Sequence, residues 1–177
     1  KPDRRQRQMC IRDSPIILDK VGKMKNTKNA FSTQWRILSK GGFEKNTIYS
    51  QEEKEELNEF KKTFELNKWD QLNGKLILDA GCGSGRLSSN VAQKAKDSTV
   101  IGIDISDGAV VANERAMKSP NHHVVQCDIN SLPFRKELFH VIWSQGVIHH
   151  TQNSYESFKK LLEIIDPNGQ IYILLYP

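Results

Sequence analysis

A glycine-rich segment, Asp79–Gly85, follows the apolar run Leu76–Leu78 and could hold a ligand against the main chain. Glycine adopts backbone angles that other residues avoid, so the three glycines of this segment leave the backbone bare. A dinucleotide-binding fingerprint would need a further glycine at position 86, where this chain has Arg86. The carboxylate of Asp79 would repel a pyrophosphate but attract an ammonium or sulfonium group. We therefore expect a ligand that is cationic near this segment, and not NAD.

Acidic residues also follow the next two apolar runs. Asp104 ends the second run, where a carboxylate can accept hydrogen bonds from both hydroxyls of a ribose. Such bonds to a charged acceptor contribute roughly 1.5 to 3 kcal/mol each, enough to make this residue a main anchor. Asp128 can accept one from an exocyclic adenine amine, while Ile105 and Ile129 can cover the two faces of the ring. Together these residues predict a nucleoside site.

The spacing of the apolar runs predicts the elements that bring these acids together. Five short, almost continuously apolar runs are typical of strands buried on both faces of a parallel sheet, and the stretches between them fit crossover helices. The runs are Leu76–Leu78, Val100–Ile103, Val124–Val125, Phe139–Trp143 and Ile171–Leu175, and the helices are Leu87–Ala95, Ala109–Met117 and Tyr155–Ile165. This alternation predicts a doubly wound α/β sheet whose ligand lies beyond the carboxyl ends of the strands.

Three further local signals refine this arrangement. Ser106 is placed to cap the second crossover helix. Asp166–Gly169 predicts a turn into the last strand. Ser144 and Gln145, which follow the fourth run, are expected to form one lip of the ligand site.

Upstream of the first run, the pattern predicts an irregular cover and a helix. Phe31–Tyr49 shows no sustained hydrophobic period, so we expect loop structure there. A helix is expected from Ser50, which forms with Glu53 the Ser-x-x-Glu pattern of a capping box. The apolar face of that helix consists of Leu57, Phe60 and Phe64. This face should pack on the main domain.

The positive charge belongs to the amino-terminal segment. The 177 residues carry a net charge of +5, but residues 1–28 hold nine basic and three acidic side chains, which leaves the remainder at −1. We interpret 1–28 as a disordered basic tail, with a phosphate-binding arm as the alternative. Because Gln8–Ser14 resembles translated adaptor sequence, residues 1–14 are treated as non-native in fold reasoning. The other expected domains are a cover with a helix at 29–72 and an α/β domain at 73–177.

Apolar runs and cysteines limit the class of protein further. The longest apolar runs have about six residues, too short to span a bilayer. The three cysteines are odd in number and lack metal-ligand spacing, which favours a cytoplasmic protein without a metal. Cys82 and Cys127 are expected to be small buried thiols.

Four of these segments, in this order and at this spacing, resemble motifs of the class I S-adenosylmethionine-dependent methyltransferases, specifically the small-molecule group. The matching segments are Leu78–Gly85, Ile103–Ser106, Cys127–Phe134 and Gly146–His150, with Ile165–Gly169 similar to a turn of the family. The resemblance covers about Asn73–Pro177. It implies a Rossmann-like fold and S-adenosylmethionine as cosubstrate, with no metal.

The resemblance also implies roles for individual residues. Asp79, Gly81 and Gly83 would hold the methionine part. Asp104 would hold the ribose. The full set of expected cofactor-binding residues is Asp79, Ala80, Gly81, Cys82, Gly83, Gly85, Asp104, Ile105, Asp128, Ile129, Ser144 and Gln145. Phe31, Gln34 and Trp35 resemble an upstream aromatic element that some members fold over the cofactor.

The chain departs from the family in its extent. The family sheet has seven strands in the order 3-2-1-4-5-7-6, whereas this chain ends just after its fifth apolar run. We therefore expect five strands in the order 3-2-1-4-5, without strands 6 and 7. The fifth strand would have an exposed apolar edge that favours pairing with another chain. The expectation is a fragment of a longer gene product.

Two histidine pairs could contribute chemistry or packing. His149 or His150 could act as a general base for an oxygen acceptor, since imidazole titrates near working pH, with local packing as the alternative. The two rings within each pair, His149–His150 and His122–His123, are expected to point in different directions, so that neither pair chelates a metal. His122 and His123 are expected to be partly solvated.

The predicted function is methyl transfer from S-adenosylmethionine to a small-molecule acceptor by in-line displacement. The alternative from another class is a non-catalytic module that holds S-adenosylmethionine or S-adenosylhomocysteine. Nucleic-acid methylation is less favoured, because Gln145–Val147 lacks a Pro-Pro-aromatic lip and the near-neutral body offers no phosphate-tracking surface. Neither a nucleic acid nor a membrane is expected as a partner. The acceptor and the oligomeric state stay open.

Overall fold

The structure is a computed structural model that describes residues 16–17, 25–39 and 53–175. The strands are β1 (Ile16–Ile17), β2 (Leu76–Ala80), β3 (Thr99–Asp104), β4 (His122–Gln126), β5 (Phe139–Gln145) and β6 (Ile165–Leu174). The α-helices are α1 (Lys25–Ser39), α2 (Glu53–Thr63), α3 (Arg86–Lys94), α4 (Gly108–Ala116) and α5 (Ser154–Ile164). Short 3₁₀ turns lie at Trp69–Leu72, Ile129–Ser131 and Ile148–His150.

The strands form one parallel sheet in the order β1-β4-β3-β2-β5-β6. Apart from the two-residue β1, this is the predicted order 3-2-1-4-5, and the predicted α/β fold class is confirmed. β1 was not predicted. It pairs Ile16 with Val125 and Ile17 with Gln126 on the outer side of β4, inside the segment interpreted as a tail.

Apolar side chains pack on both faces of the sheet. Successive residues of a strand point to opposite faces, so Ile77 and Leu78 belong to two different clusters. The expected apolar face of α2 packs into the first cluster, with Phe60 only 1% exposed and its ring centroid 5.5 Å from that of Trp143. Packing of α2 on the main domain is therefore confirmed, while the predicted cap at Ser50 lies outside the described residues.

The expectation of loop structure over Phe31–Tyr49 is wrong for its first part, because α1 runs from Lys25 to Ser39. Residues 40–49 lie outside the part of the chain that the structure describes. Local periodicity missed this helix because few of its residues are apolar. Contacts with α4 and the loop before it hold the helix in place, and tertiary context often overrides weak local propensity.

The last strand begins earlier than predicted. Ile165 already pairs with Phe139, and Gln170 then pairs with Val141, so the chain makes an irregular step at the predicted turn. Within that step, the side chain of Asp166 accepts a hydrogen bond from the amide of Asn168 at 2.8 Å, which is turn geometry. The turn is thus an interruption within one strand.

The predicted crossover helices are present at α3, α4 and α5. The N-cap residue of α4 is Asp107 and not the predicted Ser106, because the helix begins at Gly108, but the side chain of Ser106 accepts a hydrogen bond from the amide of Gly108 at 3.1 Å. None of the helices that the structure describes is both long and apolar enough to cross a membrane.

Candidate active site

The glycine-rich loop joins β2 to α3 and is pinned to the end of β3. The amides of Gly81 and Cys82 both donate to the carbonyl oxygen of Ile103, each at 2.8 Å. Gly81, Gly83 and Gly85 have φ angles of +91°, +52° and +71°, in the left-handed region that strains residues with a side chain. The path of the chain therefore requires glycine at these positions.

Side chains from two other segments close on this loop so tightly that a Cβ would not fit. A Cβ added to Gly81 would lie 2.3 Å from Cγ2 of Val147, and one added to Gly83 would lie 2.2 Å from Cζ2 of Trp35. Val147 and Trp35 thus occupy the space where a side chain on Gly81 or Gly83 would lie, so close packing as well as the backbone angles requires glycine there.

Asp104 ends β3 beside the loop and orders it. Its Oδ2 accepts from the amide of Gly83 at 2.8 Å, and its Oδ1 accepts from the amide and the hydroxyl of Ser106 at 2.8 and 2.5 Å. Burial raises the pKa of Asp104, and the hydrogen bonds from Ser106 and Gly83 oppose that rise. A carboxylate has about four acceptor positions, so these three bonds leave room for a further donor such as a hydroxyl.

Asp79 lies near the end of β2 and is 7% exposed. Burial raises its pKa to about 7, because the charged form loses its solvent. The polar groups of Ser88 nearby oppose this rise in pKa, whereas the charges of Glu56 and Asp104 add to it. A cation beside Asp79 would favour the ionised form, so this residue fits the predicted cationic ligand.

An ion pair that the sequence analysis did not predict lies beside this acid. Nη2 of Arg86, the first residue of α3, is 3.1 Å from Oε1 of Glu56 on α2. Burial raises the pKa of Glu56, and Arg86 opposes the rise. The sequence carried no signal for this pair, because 30 residues separate the partners and only the packing of α2 on α3 joins them.

The residues predicted to hold adenine follow β3 and β4 at the same edge of the sheet. Oδ1 of Asp128 accepts from the amide and the side chain of Asn130 at 2.8 and 3.1 Å. Ile129 is 6% exposed and packs in the apolar cluster on one sheet face, whereas Ile105 is half-buried. Ile105 is thus more accessible to a ring than Ile129.

The predicted lip after β5 contains two differently placed side chains. The hydroxyl of Ser144 is fully buried and donates to the carbonyl of Ala80 at 2.9 Å, so it ties β5 to the start of the loop. Gln145 is half-buried, and Gly146 after it has a φ of +69°. Gln145 is therefore the more accessible of the two.

The rings of His149 and His150 do not point in different directions, contrary to expectation. Their centroids are 3.9 Å apart at an interplanar angle of 49°, so the two rings converge although the residues are consecutive in a 3₁₀ turn. His150 is exposed and its ring meets that of Phe31 edge-on at 5.1 Å. Burial, with a smaller contribution from His149, lowers the pKa of His150 and so favours a neutral imidazole.

His122 is buried, which corrects the expectation that it is partly solvated. It is 3% exposed, and burial lowers its pKa to about 4. Its side chain is on the sheet face under α4, since it lies two residues from Val124, which packs against alanines of α4. His123 is half-buried.

The cysteines in the described residues are both reduced, and Cys127 is 2% exposed while Cys82 is half-buried. Burial raises the pKa of Cys127 to about 12, so the thiol is not an activated nucleophile. In the same part of the chain, no three His, Cys, Asp or Glu side chains are grouped so that they could hold a metal ion.

Helix α1 lies against the glycine loop and the start of α4. The hydroxyl of Ser32 accepts from the amide of Asp107 at 3.0 Å. The indole of Trp35 lies over two glycines, since a Cβ on Gly108 would be 2.8 Å from its Cδ1, close to the contact at Gly83. Phe31 and Trp35 therefore lie next to the predicted site.

Comparison with known sequences identifies the family of this region. A family model described as a methyltransferase domain matches residues 78–173. The chain is 27% identical over 116 residues to tRNA U34 carboxymethyltransferase from Geobacter sp. (strain M21), covering 60% of this chain and 36% of that protein. It is 32% identical over 102 residues to 27-O-demethylrifamycin SV methyltransferase from Amycolatopsis mediterranei (strain S699), covering 55% of this chain and 37% of that protein. The chain thus spans little more than a third of these relatives.

A solved structure has a similar fold. Phosphoethanolamine N-methyltransferase 2 of Haemonchus contortus, in complex with phosphomonomethylethanolamine and S-adenosylhomocysteine, superposes with a TM-score of 0.59 at 24% identity, covering 68% of this chain and 27% of that one. The match to the methyltransferase-domain model and the observed sheet, with a glycine loop at the carboxyl end of β2, indicate the same family. The chain belongs to the class I S-adenosylmethionine-dependent methyltransferases.

Proposed function

We propose that this chain binds S-adenosylmethionine across the glycine loop and transfers its methyl group to a small-molecule acceptor. The observation that supports this most is the convergence of Asp79 and Asp104 at the glycine loop. Two buried acids with raised pKa values disfavour an anionic ligand and favour one that brings a cation and hydroxyl donors.

In this proposal each part of the cofactor has its own residues. Asp79 with the backbone of Gly81 and Gly83 holds the methionine part. The remaining acceptor capacity of Asp104 serves the ribose hydroxyls, and Asp128 with Ile105 serves adenine. The remaining predicted residues act less directly. The hydroxyl of Ser144 holds the carbonyl of Ala80, and Cys82 and Gly85 contribute through the loop backbone. Ile129 contributes through core packing, and Gln145 forms the lip of the site.

S-adenosylmethionine, when bound, supplies a methyl group on a sulfonium that is already an activated leaving group. The residues of this chain therefore need to align the acceptor and exclude water, and no strong nucleophile is required. For an oxygen acceptor, His150 or His149 would take the proton. The lowered pKa of His150 keeps its ring neutral at pH 7, the form that can accept a proton.

A nucleic-acid acceptor is the second candidate, and the relative that acts on tRNA U34 supports it. The charge distribution of this chain favours it less, because the residues after position 28 have a net charge of −1. A module that holds the cofactor without turnover is the third reading. Cytoplasmic localisation and the extent of the parent protein remain predictions.

Titration calorimetry with the purified chain tests the binding step. We expect heat with S-adenosylmethionine and S-adenosylhomocysteine, and none with NAD or ATP, whose phosphates Asp79 would repel. Mass-spectrometric detection of methylated products from a panel of amines, phenols, carboxylates and unmodified tRNA then tests the transfer. Binding without any product would favour the module, product on tRNA alone would favour the second candidate, and tight NAD binding would refute the proposed site.

A further inference from the structure

We propose that Glu56 is a further cofactor-binding residue, which Arg86 holds in position to accept a hydrogen bond from the α-ammonium group of the methionine part. This inference rests on the proposed function and adds a residue to the same site. Glu56 is on α2, outside the methyltransferase-domain match at residues 78–173.

The hydrogen bonding of Glu56 is incomplete. Its Oε1 is 3.1 Å from Nη2 of Arg86, but its Oε2 is buried and has no hydrogen-bond partner among the described residues. The side chain is only 13% exposed. A buried carboxylate oxygen without a donor is costly, so a second donor is expected when the site is filled.

The location of the Glu56–Arg86 pair indicates that the second donor to Glu56 is the amino-acid end of the cofactor. Arg86 follows Gly85 directly, so Glu56 is held at the point where the glycine loop enters α3. The charge of Glu56 also raises the pKa of Asp79, which means that the two carboxyl groups are close enough to repel each other. The loop side of α2 and the end of β2 therefore contribute two buried acids to one region.

A single cation near both acids would relieve this repulsion. Burial raises the pKa values of both groups in the ligand-free protein, which disfavours their ionised forms. An ammonium group offers three donors, enough to reach Oε2 of Glu56, the carboxylate of Asp79 and one backbone carbonyl. Arg86 acts as a positioning residue, because its ion pair fixes one oxygen and leaves the other for the ligand.

The test compares ligands with and without the ammonium group. Calorimetry measures S-adenosylhomocysteine and 5′-methylthioadenosine, which lacks the amino-acid end, against the wild type and Glu56→Gln. We expect Glu56→Gln to weaken the binding of S-adenosylhomocysteine about 10- to 100-fold. The affinity for 5′-methylthioadenosine should change less than about twofold. Glu55→Gln, an exposed position on the same helix, is the matched control and should change neither.

Proton release gives a second readout that does not depend on affinity alone. If the ammonium group lowers the raised pKa of Glu56, binding at mildly acidic pH releases protons, and Glu56→Gln should release fewer. Arg86→Lys keeps the positive charge but loosens the ion pair with Glu56. We therefore expect an intermediate loss of affinity for S-adenosylhomocysteine and no loss for 5′-methylthioadenosine.

The outcomes separate this inference from the function on which it rests. Equal weakening of both ligands by Glu56→Gln would indicate a structural role and overturn the inference, as would unchanged affinity for both. Failure of the wild type to bind either ligand would instead overturn the proposed function. Urea unfolding of Glu56→Gln at pH 7 shows whether a loss of binding reflects a loss of the fold.

Discussion

In the proposed site, Asp79 is the residue at which stability and ligand binding oppose each other. Its pKa is about 7 in the ligand-free protein, mainly because of burial, against 3.8 for an ordinary aspartate. At pH 8 the unfolded chain ionises Asp79 freely, whereas the folded chain must ionise it without solvent. The residue therefore lowers the stability of the ligand-free protein at this pH, and the proposed cationic ligand would offset that cost.

Cofactor affinity should follow the ionisation of Asp79. Below pH 7 the carboxyl is increasingly protonated and no longer attracts a cation, so affinity should fall with pH. For a pKa of about 7, the ionised fraction falls about eightfold between pH 7.5 and pH 6. Calorimetry of S-adenosylmethionine at these two values measures the change. An affinity that is constant over this range would show that Asp79 does not contact the cationic part.

Asp79→Asn should stabilise the ligand-free protein and weaken the binding of the cofactor. The amide cannot ionise, so the cost of a buried charge disappears, and we expect about 2 to 4 kcal/mol more unfolding free energy at pH 8. Urea titration measures it, with the exposed Asp97→Asn as control. Affinity for S-adenosylmethionine should fall at least tenfold. A variant that is less stable than wild type would contradict the assignment of burial as the main cause.

At the scale of elements, α1 covers the loop by a few specific contacts. Trp35 lies against Gly83 and Gly108, and Ser32 accepts a hydrogen bond from the amide of Asp107, so α1 contacts both the glycine loop and the start of α4. Of the α1 residues whose side chains the structure describes, 28–35, none belongs to the core clusters of the sheet. This helix should therefore open without unfolding of the sheet.

Trp35→Ala should loosen α1 selectively. Removal of the indole leaves Gly83 without its cover, so we expect faster amide hydrogen exchange in residues 81–85 and about tenfold weaker binding of S-adenosylhomocysteine. The urea midpoint of the sheet should change little. Thr33→Ala, whose hydroxyl bonds only within α1 in the described contacts, serves as the control. Unchanged exchange in the loop would mean that Trp35 does not hold it.

At the scale of the whole molecule, acid stability depends on His122. Both ring nitrogens of this buried residue lack a hydrogen-bond partner among the described residues, and burial lowers its pKa to about 4 from 6.5. The unfolded chain binds a proton there from about pH 6.5 downward, before the folded chain does. Stability is therefore lost as the pH falls from 6.5 to 4.

His122→Leu should remove this part of the acid sensitivity. The histidine lowers the free energy of unfolding by up to about 3 kcal/mol near pH 4. The difference in unfolding free energy between the variant and wild type should therefore be larger at pH 4 than at pH 7 by that amount. Urea unfolding at the two pH values measures the difference. His123→Leu, at a half-buried site, should show a smaller gain in unfolding free energy at pH 4. Equal pH profiles for wild type and His122→Leu would contradict the prediction.

Much of the fold was predictable because local patterns carry it. Apolar runs located β2 to β6 and the heptapeptide Asp79–Gly85 located the loop, since strands buried on both faces and left-handed turns restrict residue type strongly. The two-residue β1, the helix α1 and the burial of His122 were not predictable in this way. Each depends on a distant partner, as β1 does on β4.

The amino-acid sequence alone located the strands, the glycine loop and the acids at the strand ends, because these follow from residue type and spacing along the chain. The strand order was expected from the resemblance of the motifs to a known family. Tertiary structure alone decided which acids share one electrostatic environment, that Trp35 covers the loop, and that Arg86 on α3 pairs with Glu56 on α2. Desolvation and side-chain pairing depend on what surrounds an atom in space, and the residues concerned are far apart in the chain.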